Sequence, residues 1–165
     1  METSPSESVS PAAFDIDPLT IAIDFSPHDM SGYHVSINSA GNVEVTTDLH
    51  SASPTKETAI VDDAALHELR MALRRERFYA LPSTLGAPTV DDTIVTFTVV
   101  LGRYSHTVVA YRGKPADDEE EHRFWRAYHC AVSPLRDQVK NPKVVRVLEL
   151  SEGKRDVLPE SDSQP

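Results

Sequence analysis

TIVTFTVVLGRYSHTVVAY, residues 93–111, decides the fold of this chain. Two runs rich in β-branched and aromatic residues flank Gly102-Arg103, the Gly-X pair suited to a tight type II′ hairpin turn. A two-residue turn sets Leu101 opposite Tyr104. Counting back then pairs Val99 with His106, Phe97 with Val108 and Val95 with Ala110, all on one face. Thr96, Thr98, Ser105 and Thr107 fall on the other. One side is therefore apolar and the other hydroxylated, as in a sheet with one covered and one wet face.

Working outward, Leu19, Ile21, Ile23 and Phe25 alternate with Thr20, Ala22 and Asp24, the pattern of a half-buried strand. Tyr33, Val35 and Ile37 repeat it, and after a turn at Ser39 to Asn42 the chain returns as Val43, Val45 and Thr47. Gly41 is the expected left-handed position of that turn. Ser51 to Pro54 marks a loop. Asp62 or Asp63 can cap a helix whose Leu66, Leu69 and Leu73 recur at helical spacing, with Phe78 and Leu81 following before Pro82. Pro82 to Asp92 reads as a polar loop. Beyond Lys114-Pro115, the acids Asp117 to Glu121 complement a helix N-terminus, and Phe124, Trp125, Tyr128, Val132 and Leu135 supply its apolar side. Residues 143–150 are β-branched and fit one more strand, or a helix.

These elements predict an α+β two-layer sandwich: a mainly antiparallel sheet of five to six strands with two helices on one face. Residues 19–150 form the expected single domain, between a disordered leader at 1–18 and a disordered polar tail at 151–165, whose compositions bury too little to offset chain entropy.

The chain has 165 residues and a formal net charge of −10, which disfavours a nucleic-acid partner, since phosphate binding rests on lysine and arginine. No run approaches the roughly 20 apolar residues of a spanning helix, so no membrane association is expected. One cysteine, Cys130, forms no internal disulfide. With no export signal at the N-terminus, the cytoplasm is the expected compartment.

The helix ending Phe78-Tyr79-Ala80-Leu81, the acidic pair Asp91-Asp92 and the strand pair around Gly102 make roughly Leu19 to Leu135 resemble a family of small uncharacterised bacterial α+β domains. The family pattern is hairpin, helix ending Phe-x-x-Leu, hairpin, helix. The resemblance implies a fold; it lends no activity, and no residue inherits a catalytic role from it.

Candidate sites rest on side-chain chemistry alone. His106 is placed on the apolar strand face, where an imidazole needs a hydrogen bond, and with Asp91 and Asp92 it is a candidate ligand-binding group for a small-molecule-binding protein or hydrolase built on the 82–92 loop. Arg70, Arg74 and Arg77 are spaced as a helix stripe able to pair carboxylates or phosphates. Asp117, Asp118 and Glu119 are candidates for meeting a basic partner. Seven histidines offer no recognised metal pair: His122 and His129 are seven apart on one helix, roughly 10 Å along its axis. No Gly-x-Ser-x-Gly or phosphate-binding loop is present, and no cofactor is expected. The uncovered face should carry Thr20, Asp24, His34, Ser36, Asn38, Glu44, Thr46, Thr96, Thr98, Ser105 and Thr107. The leading expectation is a non-enzymatic protein-interaction module, of immunity-protein or antitoxin type.

Overall fold

The computed structural model describes residues 17–27, 32–47, 52–90 and 92–140. Within them the order is β1 (Leu19–Ser26), β2 (Tyr33–Ile37), β3 (Asn42–Thr47), β4 (Thr55–Ile60), α1 (Asp63–Arg75), a 3₁₀ turn (Phe78–Ala80), β5 (Thr84–Leu85), β6 (Ile94–Leu101), β7 (Tyr104–Tyr111) and α2 (Glu119–Gln138). The strands form one sheet in the order β4-β3-β2-β1-β6-β7-β5. Every neighbouring pair is antiparallel except β5 with β7. This is the α+β sandwich the sequence predicts, with a larger sheet.

The strand count corrects upward to seven. The two additions are β4, in a segment with little apolar content, and the two-residue β5 inside the stretch read as a polar loop. β4 escapes the hydrophobic pattern because it is an edge strand whose helix-facing residues are only half-buried, so Thr55 and Glu57 are tolerated there. β5 is short, yet its Leu85 is 2% exposed and pairs with Ala110. The strand or helix expected at 143–150 lies outside the described residues, as do most of the leader at 1–18 and the whole tail at 151–165.

The β6–β7 register is the one counted from the turn: Leu101 opposes Tyr104, Val99 opposes His106 and Phe97 opposes Val108. Gly102 takes φ +60° while Arg103 stays out of the left-handed region, as a type II′ turn requires. The Gly102 amide also donates to Pro18 O at 2.9 Å, tying the turn to the start of β1.

Alternation puts Ile21, Ile23, Val35, Val45, Val95, Phe97 and Val99 on the helix side, all at 0% exposure. α1 seats Leu66, Leu69, Ala72 and Leu73 there, and α2 adds Phe124, Ala127, Tyr128, Ala131, Val132 and Leu135. Phe97 is the hub, with ring contacts to Phe78, Phe124 and Tyr128 at 5.0 to 6.0 Å. The buried Tyr33 and Tyr128 hydroxyls satisfy each other at 2.5 Å, which lets two phenols enter an apolar layer.

Both helices are capped as their sequences dictate. The Asp62 carboxylate accepts the Ala65 amide and the Asp118 carboxylate the Glu121 amide, each at 2.9 Å.

Gly102→Ala should cost about 1–3 kcal/mol, because a β-carbon is strained at that φ and would stand 2.7 Å from the Asp17 carboxylate. Urea unfolding should show a lower midpoint at unchanged slope; an unchanged midpoint would mean the turn relaxes without loss.

Candidate functional site

His106 lies on β7 facing the helices, as alternation predicts, and its surroundings explain it. Its Nε2 is 2.8 Å from Leu81 O; a carbonyl only accepts, so Nε2–H donates. The ring packs against Phe78 and Tyr79 at 5.6 and 5.9 Å. The Tyr79 hydroxyl donates in turn to Val99 O at 3.1 Å, and burial pushes this phenol far above its ordinary value. His106 thus joins the 3₁₀ turn to the hairpin.

Asp92 stands elsewhere. Its carboxylate accepts the Gly113 amide at 2.6 Å and the Thr89 amide at 2.9 Å, clamping the loop before β6 to the end of β7. Partial desolvation pushes its carboxyl up, but these backbone bonds outweigh it and hold the group below the usual range. Ile94 opposes Tyr111 while Val99 opposes His106, so Asp92 and His106 sit at opposite ends of the hairpin, roughly 20 Å apart by strand rise. The structure does not bring them together. Asp91 lies outside the described residues.

The arginine stripe is broken by backbone geometry. α1 ends at Arg75, and Arg77 is left-handed at φ 51°, so helical spacing no longer aligns it with Arg70 and Arg74. Arg70 donates to Asp17 O at 2.9 Å; Arg74 is exposed.

What the break creates is a charged joint between the helices. The buried Arg123 of α2 donates to Glu76 O at 2.8 Å and Arg77 O at 3.0 Å, satisfying carbonyls at the end of α1. The Glu76 side chain, 6% exposed, is held between Arg75 at 3.3 Å and Arg126 at 3.0 Å. Burial pushes the Glu76 carboxyl up, but the hydrogen bonds and charges of Arg126 and Arg75 prevail and lower it.

The acidic run is largely committed to its own helix. Asp118 caps it, Glu121 is buried and accepts the Asp117 amide at 2.5 Å, and Glu119 pairs Arg126 at 2.9 Å. Asp117 approaches His122 at 3.5 Å. Among the described residues, no three His, Cys, Asp or Glu side chains are placed to hold one metal ion. No helix among them is long and apolar enough to cross a membrane.

The face of the sheet that carries no helix among the described residues is built differently. Its registers align Thr58, Glu44, Ser36, Ala22, Thr98 and Thr107 into one row across six strands. The next row runs Lys56, Thr46, His34, Asp24, Thr96 and Val109. At about 4.8 Å per strand these rows extend about 24 Å. Thr98 and Thr107 share a hydrogen bond at 2.8 Å, and His34 Nδ1 meets Asp24 at 2.7 Å.

Over the β1 to β4 half of the face lies a depression of about 780 Å³, lined by Thr20, Ser36, Asn42, Glu44, Thr58 and Ile60 among others and reaching Gln138 at the end of α2. The sequence reading places Thr20, Ser36 and Glu44 on this face but misses Asn42, Thr58 and Ile60. The last two depend on recognising β4, whose only signal is the faint alternation in TKETAI.

No protein-family model matches the chain, and no characterised protein is significantly similar to it.

Glu76→Gln should lower stability at pH 7 by about 1–3 kcal/mol, the scale of hydrogen bonds to a charged group. Because the folded carboxyl titrates below its usual 4.5, its contribution is complete above that value and is lost as pH falls through the lower, folded one. The gap between wild type and variant in urea melts should therefore be constant above pH 4.5 and narrow as pH falls below it; a pH-independent gap would remove the charge from the explanation.

Proposed function

We propose that this chain is a non-enzymatic interaction module whose contact surface is the uncovered sheet face. The observation that carries this is the row Thr58, Glu44, Ser36, Ala22, Thr98 and Thr107, which no helix among the described residues covers and which adjoins a depression of about 780 Å³. Short hydroxyl side chains on a paired sheet give a firm platform that loses little side-chain entropy when a partner docks. The acidic helix end is the weaker surface, since Asp118, Glu119 and Glu121 already serve the helix or Arg126.

An immunity-protein or antitoxin role is the concrete form of this reading: an acidic chain meeting a basic partner gains encounter rate and register from charge complementarity. A cytoplasmic setting is part of the proposal, supported by the single thiol, Cys130. So is kinship with the small bacterial α+β domains, supported by the hairpin, helix, hairpin, helix order.

A second reading is favoured by the depression itself, whose volume lies in the range of small-molecule sites, about 300–1,000 Å³. It moves the expected ligand site from the 82–92 loop, where Asp92 spends its carboxylate on backbone amides, to the open sheet face.

Affinity purification of the tagged chain from its own cells tests the main reading. Ser36→Arg and Thr98→Arg, both on the open face, should leave the circular dichroism spectrum unchanged and lose a stoichiometric partner that wild type retains. Glu119→Gln with Glu120→Gln should keep it. Retention by both face variants, or no partner for wild type, overturns the reading; a thermal shift with polar small molecules, abolished by Ser36→Arg, would replace it with the second.

A further inference from the structure

The depression joins two chemistries on one short path. Glu44 stands opposite Thr58, and Ile60, two residues further along β4, stands opposite Asn42. Glu44 and Ile60 are thus diagonal neighbours, about 7 Å apart. Ile60 is 65% exposed, an apolar side chain left beside a carboxylate. Thr58 and Asn42 stand at the corners between them, and beyond Glu44 the lining continues with Ser36 and Thr20, with Ile37, Val43 and Ala59 adding apolar surface.

A side chain with an apolar stem and a cationic head matches that sequence of surfaces. The stem of lysine or arginine lies along hydrocarbon while its head seeks oxygen acceptors. Glu44 already meets one ammonium, since Lys56 Nζ is 3.7 Å from its Oε2. Both side chains of that pair are at least half exposed, and such a pair contributes little, so it is readily exchanged. Lys56 flanks Thr58 on one side along β4 and Ile60 on the other, leaving Glu44 approachable from the Ile60 side. The chain's net charge of −10 favours arrival of a basic segment.

We infer that the depression receives a lysine or arginine side chain from a basic segment of a protein partner, its stem on Ile60 and its head on Glu44. This rests on the interaction reading above and names the partner's chemistry. Lys56 is then an internal competitor for Glu44. Removing the two charges therefore has opposite effects.

The test is a ¹⁵N NMR titration of the full chain with a short peptide alternating lysine and threonine, beside the same peptide carrying norleucine for lysine. Shifts should centre on Ser36, Glu44, Thr58 and Ile60. Glu44→Gln should weaken binding at least fivefold, Lys56→Gln should tighten it, and norleucine should bind at least fivefold more weakly than lysine. The same spectra report whether each variant is folded. Absence of shifts, shifts centred on Glu119 and Glu120, equal binding of norleucine, or indifference to Glu44→Gln would each overturn the inference. If partner capture is lost in Ser36→Arg and Thr98→Arg while Glu44→Gln leaves peptide binding unchanged, this inference fails and the interaction reading stands.

Discussion

Arg123 ties the two helices of this protein to each other at the point where the first one ends. α1 stops at Arg75, and the chain turns through a left-handed Arg77, a conformation that costs a non-glycine residue on the order of 1–2 kcal/mol. The turn also leaves carbonyls at a helix end inside the protein, where water cannot reach them freely. Arg123 accounts for two of these, at Glu76 and Arg77, and so makes the break tenable. Everything downstream uses that break. It launches the 3₁₀ turn that carries Phe78 and Tyr79 into the core, sets Leu81 O to receive His106, and brings Tyr79 beneath the hairpin.

Beyond that joint, the most reactive-looking groups are also bonded to backbone. An imidazole or carboxylate withdrawn even partly from water needs its polar atoms satisfied, and here the partners are backbone atoms at element ends. His106 bonds the carbonyl after the 3₁₀ turn, Asp92 two loop amides, and Glu121 the amide before its helix. Polar chemistry stitches the connections together.

The sequence was most legible where local chemistry sets geometry. Gly102-Arg103 determined the turn, the turn determined the register, and the register placed Val99 opposite His106 and the hydroxyls on the outer face. Alternation likewise revealed β1, β2 and β3, and leucine spacing revealed α1. β4 was hidden because Thr55 and Glu57 replace apolar residues on a half-covered edge strand. The joint of Glu76 with Arg123 was hidden for another reason: its partners belong to different helices, and no periodicity links them. Spacing also misled where an element ended early, as with Arg77, and where chain proximity said nothing about direction, as with Asp92 and His106. The face was thus readable over five strands, and its depression was not, because Thr58 and Ile60 come from the strand that was missed.

The central position of β1 has a consequence for how the chain is made. β1 pairs on one side with β2, its neighbour in sequence, and on the other with β6, so that Leu19 meets Leu101. A ribosome delivers the first four strands long before β6 emerges, and until then one edge of β1 has no complement. Its alternating aliphatic residues are then a template for any extended chain nearby. Non-local pairing of this kind slows folding, because the intervening loop must close before the contact rewards it. Shortened versions ending before Leu101 should thus be the ones that precipitate, and the nascent chain is most in need of chaperone protection while its fifth through seventh strands are still being synthesised.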